Sequence, residues 1–326
     1  MSVPELAERP VLVVVDHVGG ALTAASAEVL TLARELAGAA GVAAVALETP
    51  DTDALARFGV PTVYLPDLDG ANPTVSAVAA EAVLAAVELA GAGAVLLTSS
   101  FAGKELAARL AVALGSGAVV DATGVEKGAS GLVASKVVLQ GTWSTTCTVT
   151  RGVPVIAVKA TAVEAVEAPG GEPALVSVPV DLSTAARAVR VVSRTEHPRG
   201  GRVPLGEARS VVVGGRGVEG DFSLVTELAD EIGAAVGATR VATDEGWIEH
   251  AAQVGQTGVT ISPRLYIGVG VSGAIHHTAG MQSAETVVAV NSDPEAPIFE
   301  MADLGIVGDL NDVLPQAVAE LRRLRG

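Results

Sequence analysis

The 326-residue sequence contains little cysteine, few aromatic residues and a shortage of basic charge. Its single cysteine, Cys147, excludes an internal disulfide and any metal or iron–sulfur site that needs several cysteines. Aromatic residues make up only 2%, too few for the stacking platforms that bind single-stranded nucleic acid. The formal net charge of −16 further disfavours binding to nucleic acid or to an anionic membrane.

Long apolar segments are also missing. The longest stretch without Asp, Glu, Lys or Arg covers residues 265–284, and it contains four glycines and two adjacent histidines. Such a composition is typical of a strand and its turn rather than of a membrane span. The N-terminal residues lack the features of a secretory or mitochondrial targeting segment. We therefore expect a cytoplasmic protein with no integral membrane segment.

The order of the apolar segments predicts an α/β fold. Continuous apolar runs, such as 11–17 and 94–99, alternate with segments of helical period from residue 11 to about residue 120. Continuous runs are typical of strands covered on both faces, and their alternation with helices indicates βαβ units around a parallel sheet. Between residues 131 and 190, several runs rich in Val and Thr predict further strands, which we expect to be antiparallel.

A compositional break predicts two domains. Residues 194–210 combine Pro, Gly and Arg without apolar periodicity, which is typical of a linker. Strand–helix alternation then starts again and continues to a final amphipathic helix. We predict an N-terminal, partner-contacting α/β domain at 1–193, a linker at 194–210 and a C-terminal domain at 211–326. Both domains should be doubly wound, Rossmann-like units with mostly parallel sheets.

Three glycine-rich or polar loops follow predicted strands of the C-terminal domain. Their sequences are GGRG (214–217), VSG (271–273) and NSDPEAPIF (291–299). Ligands of open parallel sheets bind beyond the carboxyl ends of the strands, which all lie at one edge. Each loop alone is compatible with an ordinary turn, since turns use Gly and Asn for backbone reasons. The three together predict one elongated ligand at this edge.

The segment GVGVSG, residues 268–273, has the spacing G-x-G-x-x-G directly after a predicted strand. Its glycines, including Gly270 and Gly273, would let the backbone approach a pyrophosphate. Ser272 could donate its hydroxyl to a phosphate oxygen, or it could simply cap the following helix. Unlike in a standard NAD site, this motif follows the third or fourth strand of its domain. A dehydrogenase that uses this motif for NAD(P) or FAD remains an alternative.

Other candidate sites have less support. His276 and His277 are adjacent on a predicted helix, where side chains point about 100° apart, so they cannot bind one metal ion together. The segment AGKEL (102–106) lacks the first Gly and the Ser or Thr of a phosphate-binding loop. Cys147 has no basic neighbour that would activate it, which predicts a buried structural thiol. We predict neither a metal site nor catalytic residues.

Several longer segments of the C-terminal half resemble the α subunit of electron-transfer flavoprotein. They are AVGATRVATDEGW, QVGQTG, PRLYIGVGVSGAIHHTAGM and VVAVNSDPEAPIFEMADLGIVGDL. The resemblance extends from about residue 211 to 322, and the N-terminal half is similar more loosely, as in GKELAARLA (103–111). It implies an FAD-binding C-terminal domain and a heterodimer with a β subunit. The heterodimer would accept electrons from flavin dehydrogenases, such as the acyl-CoA dehydrogenases of fatty acid β-oxidation, and pass them to a membrane quinone oxidoreductase.

The resemblance also implies which residues surround the FAD. Those implied at its phosphates and adenosine are Arg216, Gly270, Ser272, Gly273, Asn291 and Asp309, and the Thr239 hydroxyl could reach either a phosphate or the flavin. Those implied along the flavin ring are Arg240, Gln253, Gln256, Thr257 and His277. In this arrangement the Thr257 hydroxyl would lie near N5 of the flavin, and His277 would donate to its C2 carbonyl. A fixed cation such as Arg240 would favour the reduced, negatively charged ring.

The sequence leaves other functions open. One is a hydride-transferring dehydrogenase that uses GVGVSG, and another is a scaffold that has lost its ligand. A third is an electron-bifurcating variant of the same family, which carries a second FAD largely in the β subunit. His276 departs from the family pattern, which commonly has Gln there, whereas His277 keeps it.

Overall fold

The structure is a computed structural model that describes residues 9–129, 131–139, 143–194 and 202–325. The chain divides into two compact units. The first consists of Met1–Val138 and Ser144–Glu196, and the second of Leu139–Trp143 and His197–Gly326. Residues 195–201 of the predicted linker lie outside the described residues, and a strand begins at Ser210. No described helix is long and apolar enough to cross a membrane.

The first unit is an α/β structure built around one nine-stranded sheet. In chain order its elements are β1 (Val11–Val15), β2 (His17–Val18), β3 (Ala21–Leu22), α1 (Ala24–Ala37), β4 (Val42–Ala46), α2 (Thr52–Arg57), β5 (Thr62–Asp67), α3 (Ser76–Ala90), β6 (Ala94–Thr98), α4 (Phe101–Ala113), β7 (Ala118–Gly128), β8 (Gly131–Val138), β9 (Trp143–Thr148), β10 (Val155–Val158), β11 (Ala174–Pro179) and α5 (Thr184–Ala188). The strand order is β11-β5-β4-β1-β6-β10-β7-β8-β9. Strands β2 and β3 form a separate antiparallel hairpin.

The strands between residues 131 and 190 are not all antiparallel, so that expectation was wrong in part. Strand β8 is antiparallel to β7, but β10 is parallel to both β6 and β7, and β11 is parallel to β5. Strand β10 is buried along its whole length, as a central strand of a covered sheet should be. The direction of such a strand depends on the connection that leads into it, because its apolar pattern is the same in either direction.

Both faces of the first sheet are covered, which explains the continuous apolar run of β1. Val11 and Val13 belong to one buried cluster, which also contains Leu30 of α1. Leu12, between them, points to the opposite face and belongs to a second cluster with Val83 of α3. Side chains of a strand alternate between faces, so a strand buried on both faces needs an apolar residue at every position.

The second unit is a smaller, fully parallel α/β structure. In chain order its elements are β12 (Ser210–Gly214), α6 (Ser223–Ile232), β13 (Ala235–Ala238), α7 (Arg240–Asp244), β14 (Leu265–Val269), α8 (Ile275–Thr278), β15 (Thr286–Asn291), β16 (Leu304–Val307) and α9 (Leu310–Arg325). The strand order is β13-β12-β14-β15-β16, and all four pairings are parallel. The predicted fold class, two doubly wound α/β domains, is confirmed. The order reverses between β12 and β14, where open parallel sheets bind ligands.

Buried clusters also cover both faces of the second sheet. Val211 and Val213 of β12 belong to one cluster, whereas Val212 belongs to the other. That second cluster contains Leu228 of α6 and Leu314 of α9, so these two helices cover the same face. Buried side chains therefore cover both faces of the sheet, and the loops that follow the strands lie at its carboxyl edge.

Candidate cofactor-binding site

The carboxyl edge of the second sheet collects most of the predicted site residues. Strands β12, β13, β14, β15 and β16 are parallel neighbours, so the loops that follow them lie at the same edge. The predicted residues in or next to these loops are Arg216, Thr239, Arg240, Gly270, Ser272, Gly273, Asn291 and Asp309. Gln253, Gln256 and Thr257 lie between α7 and β14, and His277 lies in α8. The three loops predicted to share one edge do so.

Glycines bring the β12 and β14 loops into direct contact. The amide of Gly217 donates to the carbonyl oxygen of Gly270 at 3.0 Å, and that of Gly215 to Val269 at 2.9 Å. Gly270 has a φ of +60°, and a Cβ there would lie 2.7 Å from the Cα of Gly217. A side chain at Gly270 is therefore excluded by both conformation and space. The G-x-G-x-x-G motif forms a backbone-lined surface at the point where the strand order reverses.

Two polar groups at this edge have no protein partner among the described residues. The Thr239 hydroxyl is buried and makes no hydrogen bond there. Arg216 is exposed, and its guanidinium forms no ion pair with any described residue. A buried hydroxyl without a partner costs free energy, so its retention indicates a ligand atom as its partner. A hydroxyl, a cation and a glycine-lined surface together fit the phosphates of a dinucleotide.

Arg240, the first residue of α7, is a second cation at this edge. Its Nε donates to the Asp244 carboxylate one helical turn later at 3.1 Å, and two thirds of its side chain is exposed. An exposed ion pair of this kind contributes little stability, so the guanidinium can change partners at low cost. Its placement beside a flavin ring stays a prediction.

The side chain of Gln253 is buried and connects two threonines. Its Oε1 accepts a hydrogen bond from the Thr243 hydroxyl at 3.1 Å, and its Nε2 donates to the Thr257 hydroxyl oxygen at 2.9 Å. Both ends of the amide are thus occupied inside the protein. We infer that Gln253 orients Thr257, whose exposed hydroxyl keeps its hydrogen for another acceptor.

His277 is buried, and both of its ring nitrogens have partners inside the protein. Nδ1 lies 3.0 Å from the carbonyl oxygen of Val254 and Nε2 lies 2.8 Å from the Tyr266 hydroxyl. A carbonyl can only accept, so Nδ1 carries the proton and Nε2 accepts from Tyr266. Burial lowers the pKa of His277 to about 4, against the raising effect of Val254. Both ring nitrogens of this neutral imidazole are engaged within the chain, and a contact of His277 with the flavin C2 carbonyl stays a prediction.

His276, which departs from the family pattern, has a role that the sequence did not reveal. Its Nδ1 lies 2.8 Å from Oε1 of Gln256, and its carbonyl oxygen accepts from the Gln256 amide at 2.7 Å. Two consecutive histidines of α8 therefore form hydrogen bonds to the loop before β14, His276 to Gln256 and His277 to Val254. Tyr266, Thr243 and His276 were all missed, because each acts through a partner far away in the sequence.

The remaining predicted residues at the edge also stabilise its loops. Asn291 donates to the carbonyl oxygen of Val271 at 2.8 Å and so connects the ends of β14 and β15. The Asp309 carboxylate accepts from the Asn311 amide at 2.8 Å. Ser272 does not cap α8, because the helix begins at Ile275 without any side-chain cap. Its exposed hydroxyl is therefore available for a ligand.

Two further expectations concern the rest of the chain. Cys147 is partly exposed and packs against the edge of a core cluster, so the expectation of a buried thiol was wrong. Within the described ranges, no three His, Cys, Asp or Glu side chains are close enough together to hold a metal ion.

Comparisons with known proteins identify the family of both halves of the chain. Residues 11–183 match the family model described as the electron transfer flavoprotein domain, and residues 204–282 match the electron transfer flavoprotein FAD-binding domain. Electron transfer flavoprotein subunit alpha of Mycobacterium leprae is 43% identical over 97% of this chain and 99% of that protein. The subunit of the same name in Mycobacterium tuberculosis has the same identity and coverage.

A more distant relative has a different name. Lactate dehydrogenase (NAD(+),ferredoxin) subunit LctC of Acetobacterium woodii is 32% identical over 94% of this chain and 76% of that protein. The matches confirm the resemblance seen in the sequence, with FAD as the cofactor and electron transfer rather than substrate conversion as the activity. Alpha subunits of this kind pair with beta subunits. The chain belongs to the electron transfer flavoprotein family and is similar to its alpha subunits over almost its whole length.

Proposed function

We propose that this chain, paired with a β subunit, carries electrons between flavin dehydrogenases and a membrane quinone oxidoreductase. Acyl-CoA dehydrogenases would be the electron donors, and the electron transfer would take place in the cytoplasm. The observation that carries the proposal is the carboxyl edge of the second sheet. It offers a cation at Arg216 and a buried hydroxyl at Thr239, both without a partner among the described residues, and a glycine-lined surface, which are groups that bind a cofactor.

The same edge offers little for substrate chemistry of its own. Its buried histidine, His277, has both ring nitrogens engaged and a lowered pKa, so it does not serve as a general base near neutral pH. FAD supplies the redox chemistry when bound, and the chain supplies its binding and orientation. A carrier needs no base or nucleophile, because its donor and acceptor enzymes perform the substrate chemistry.

Each residue at the edge receives a proposed task from its contacts. Arg216 and the Thr239 hydroxyl would bind phosphate oxygens, since a guanidinium and a hydroxyl both donate to them. Thr257, oriented by Gln253, would donate to the flavin ring. The Arg240 charge would stabilise the reduced ring, provided that the guanidinium leaves Asp244 for the flavin. Tyr266 and His277 would fix the loop that carries Gln256.

The test is electron transfer by the purified heterodimer. Co-expression with the β subunit should give a 1:1 complex whose visible spectrum shows bound flavin. An acyl-CoA dehydrogenase and its substrate should bleach that flavin, whereas the substrate alone should not. A stable flavin-loaded monomer or homodimer would contradict the heterodimer. Direct reduction by the acyl-CoA without the dehydrogenase would contradict the carrier role.

An electron-bifurcating complex is a second candidate function. The observation in its favour is the similarity to subunit LctC, whose name includes both NAD(+) and ferredoxin as reactants. The flavin content separates the two candidates, because the bifurcating type carries a second FAD largely in the β subunit. One FAD per heterodimer and no reduction by NADH support the simple carrier. Two FAD per heterodimer with reduction by NADH support the bifurcating type.

A further inference from the structure

The first unit has a cavity of its own at the carboxyl edge of its sheet. The cavity has a volume of about 250 Å³ and lies where β1, β4 and β6 end. Its inner wall includes Val14 and Leu97, and helices α3 and α4 contribute Ala79 and Leu106. This volume is slightly below the roughly 300–1,000 Å³ typical of drug-sized ligands, so the cavity suits one small molecule and not a dinucleotide.

The position of the cavity in the sheet is one at which α/β proteins bind ligands. Strands β1, β4, β5 and β6 are the first four parallel strands of the unit, and they are arranged in the order β5-β4-β1-β6. The order therefore reverses between β1 and β6. Connections leave the sheet towards opposite faces on the two sides of such a point, and this opens a crevice beyond the strand ends. The cavity occupies that crevice.

A buried hydroxyl at the cavity has no partner. Thr98, the last residue of β6, lines the cavity and is 8% exposed. Its Oγ1 makes no hydrogen bond with any described residue. Leaving such a group unsatisfied costs free energy, and a ligand atom in the cavity would supply the missing partner.

His17 provides a second free group at the same cavity. Its Nε2 accepts a hydrogen bond from the Asp51 amide at 3.1 Å, which places the ring proton on Nδ1. Burial lowers the pKa of His17 despite the raising effects of Asp51 and Glu48, so the ring is neutral near pH 7. Nδ1 has no hydrogen-bond partner among the described residues, and it therefore offers one donor.

The charge of the lining restricts the kind of ligand. The carboxylates of Asp16, Glu48 and Glu105 line the cavity, and no Lys or Arg among the described residues does so. Glu105 is paired with Arg109 and accepts a hydrogen bond from Ser76, so Glu48 is the carboxylate that would repel a phosphate group. The turn after β1, which begins Asp16-His17, also lacks the glycine spacing that lets a backbone approach a phosphate. Glu48 follows β4, the second parallel strand of the unit. In related folds, an acidic residue after the second parallel strand binds the hydroxyls of a ribose.

We propose that this cavity binds an uncharged nucleoside. The base would lie between the apolar side chains of Val14, Leu97 and Leu106, and Thr98 and His17 would hydrogen-bond to its polar edge. The ribose hydroxyls would donate to the Glu48 carboxylate at the rim. The Glu48 carboxylate would weaken binding of the phosphorylated form of the same nucleoside. This site is separate from the one proposed for FAD, since every residue that forms it belongs to the first unit.

Binding is tested on the FAD-loaded heterodimer with adenosine and adenosine 5′-monophosphate as probes. Calorimetric titration should show saturable binding of adenosine, and binding of the monophosphate should be at least about tenfold weaker. The absence of saturable adenosine binding overturns the proposal. Tighter binding of the monophosphate, if it also depends on Thr98, overturns the assignment to an uncharged nucleoside.

The variant Thr98→Val assigns any binding to this cavity. It removes the hydroxyl and keeps the shape of the side chain, and we expect the Kd for adenosine to rise about tenfold. The melting temperature without adenosine should stay the same or rise, because a buried unpaired hydroxyl is lost. An unchanged Kd in Thr98→Val overturns the proposal, because the binding is then elsewhere, for example in the β subunit.

Two further variants separate ligand binding from general effects on the fold. Thr31→Val is the matched control, because the Thr31 hydroxyl is buried but already bonded to Ala27 and Val166. It should lower the melting temperature and leave the adenosine Kd unchanged. Glu48→Gln should weaken adenosine binding but strengthen binding of the monophosphate, so that the ratio of the two Kd values falls. An unchanged ratio overturns the role of Glu48.

Discussion

The two units have the same kind of edge with opposite chemistry. Each has a mostly parallel sheet whose strand order reverses, and each has a buried threonine hydroxyl there that bonds to no described residue, Thr98 in the first unit and Thr239 in the second. The first edge is lined by carboxylates such as Glu48, whereas the second carries Arg216 and Arg240. The architecture therefore provides a place for a ligand, and the charges of the loops determine which ligand fits.

The backbone at the two edges differs as well. In the second unit, Gly215, Gly217 and Gly270 bring two loops so close together that side chains are excluded. In the first unit, side chains such as His17 and Thr98 form the edge instead. A dinucleotide has charged phosphates that approach exposed amides, so we expect it to bind at the second edge. Variants at each edge can test this difference.

The largest effect is expected for Gly270→Ala. The residue has a φ of +60°, and the added Cβ would lie 2.7 Å from the Cα of Gly217. We expect the loss of FAD and a destabilisation of roughly 3 kcal/mol or more, since backbone strain and a steric clash combine. Thermal unfolding and the flavin content of the purified heterodimer measure the two effects.

Gly233→Ala is the matched control for this variant. Gly233 has a similar φ of +64°, but an added Cβ would meet no atom within 4 Å. Its cost should be only the conformational term of roughly 1–2 kcal/mol, and FAD should be retained. Equal losses of FAD in the two variants would show that the close contact of the β12 and β14 loops is not required.

The next effect concerns pH and His277. Its pKa in the folded protein is about 4 against 6.5 for the free group, because burial disfavours the charged form. The unfolded state therefore binds more protons between these values. The resulting stabilisation is complete above pH 6.5 and is lost as the pH falls to about 4, a difference of about 3 kcal/mol in the free energy of unfolding.

Replacing His277 should remove this part of the pH dependence. Urea unfolding of His277→Gln at several pH values between 7 and 4 should show a shallower loss of stability than the wild type. His276→Gln, which replaces the exposed neighbouring histidine, is the control. An equally steep slope in His277→Gln would show that the histidine is not neutral and buried in solution.

The contrast between the units also shows what the sequence could predict. Local pattern was enough for the strands, the helices and the GVGVSG loop, because apolar period and glycine spacing are encoded in neighbouring residues. It was not enough for the direction of β10, whose VIAV sequence is equally apolar in either direction. The hydrogen bonds that connect His277 with Tyr266 and Val254 could not be predicted either, since the fold alone brings these residues together.

A smaller effect is expected for Arg216→Ala. The Arg216 guanidinium has no ion-pair partner among the described residues, so its removal leaves no protein group unpaired. FAD binding should weaken by roughly 1.5–3 kcal/mol, the usual range for a hydrogen bond to a charged group. Fluorescence titration of the FAD-depleted heterodimer measures this loss. Arg323→Ala, which removes a guanidinium paired with Glu320 on α9, should leave FAD affinity unchanged.

The smallest effect is expected for Arg240→Ala. Removal of this cation should lower the midpoint potential of the bound flavin by an amount of the order of 59 mV, a tenfold change in a one-electron equilibrium. Arg240→Lys should restore the potential only in part, because the charge returns without the planar group. Redox titration of the three proteins gives the comparison. An unchanged potential in Arg240→Ala, with FAD still bound, would remove this residue from the flavin site.

The location of FAD is tested most directly by the two matched threonine variants. FAD affinity should be measured for heterodimers that carry Thr239→Val or Thr98→Val, since each removes from one edge a buried hydroxyl with no partner in the described part of the chain. We predict that Thr239→Val raises the Kd for FAD about tenfold and that Thr98→Val leaves it unchanged. A rise in Thr98→Val with none in Thr239→Val would contradict the assignment of FAD to the second unit.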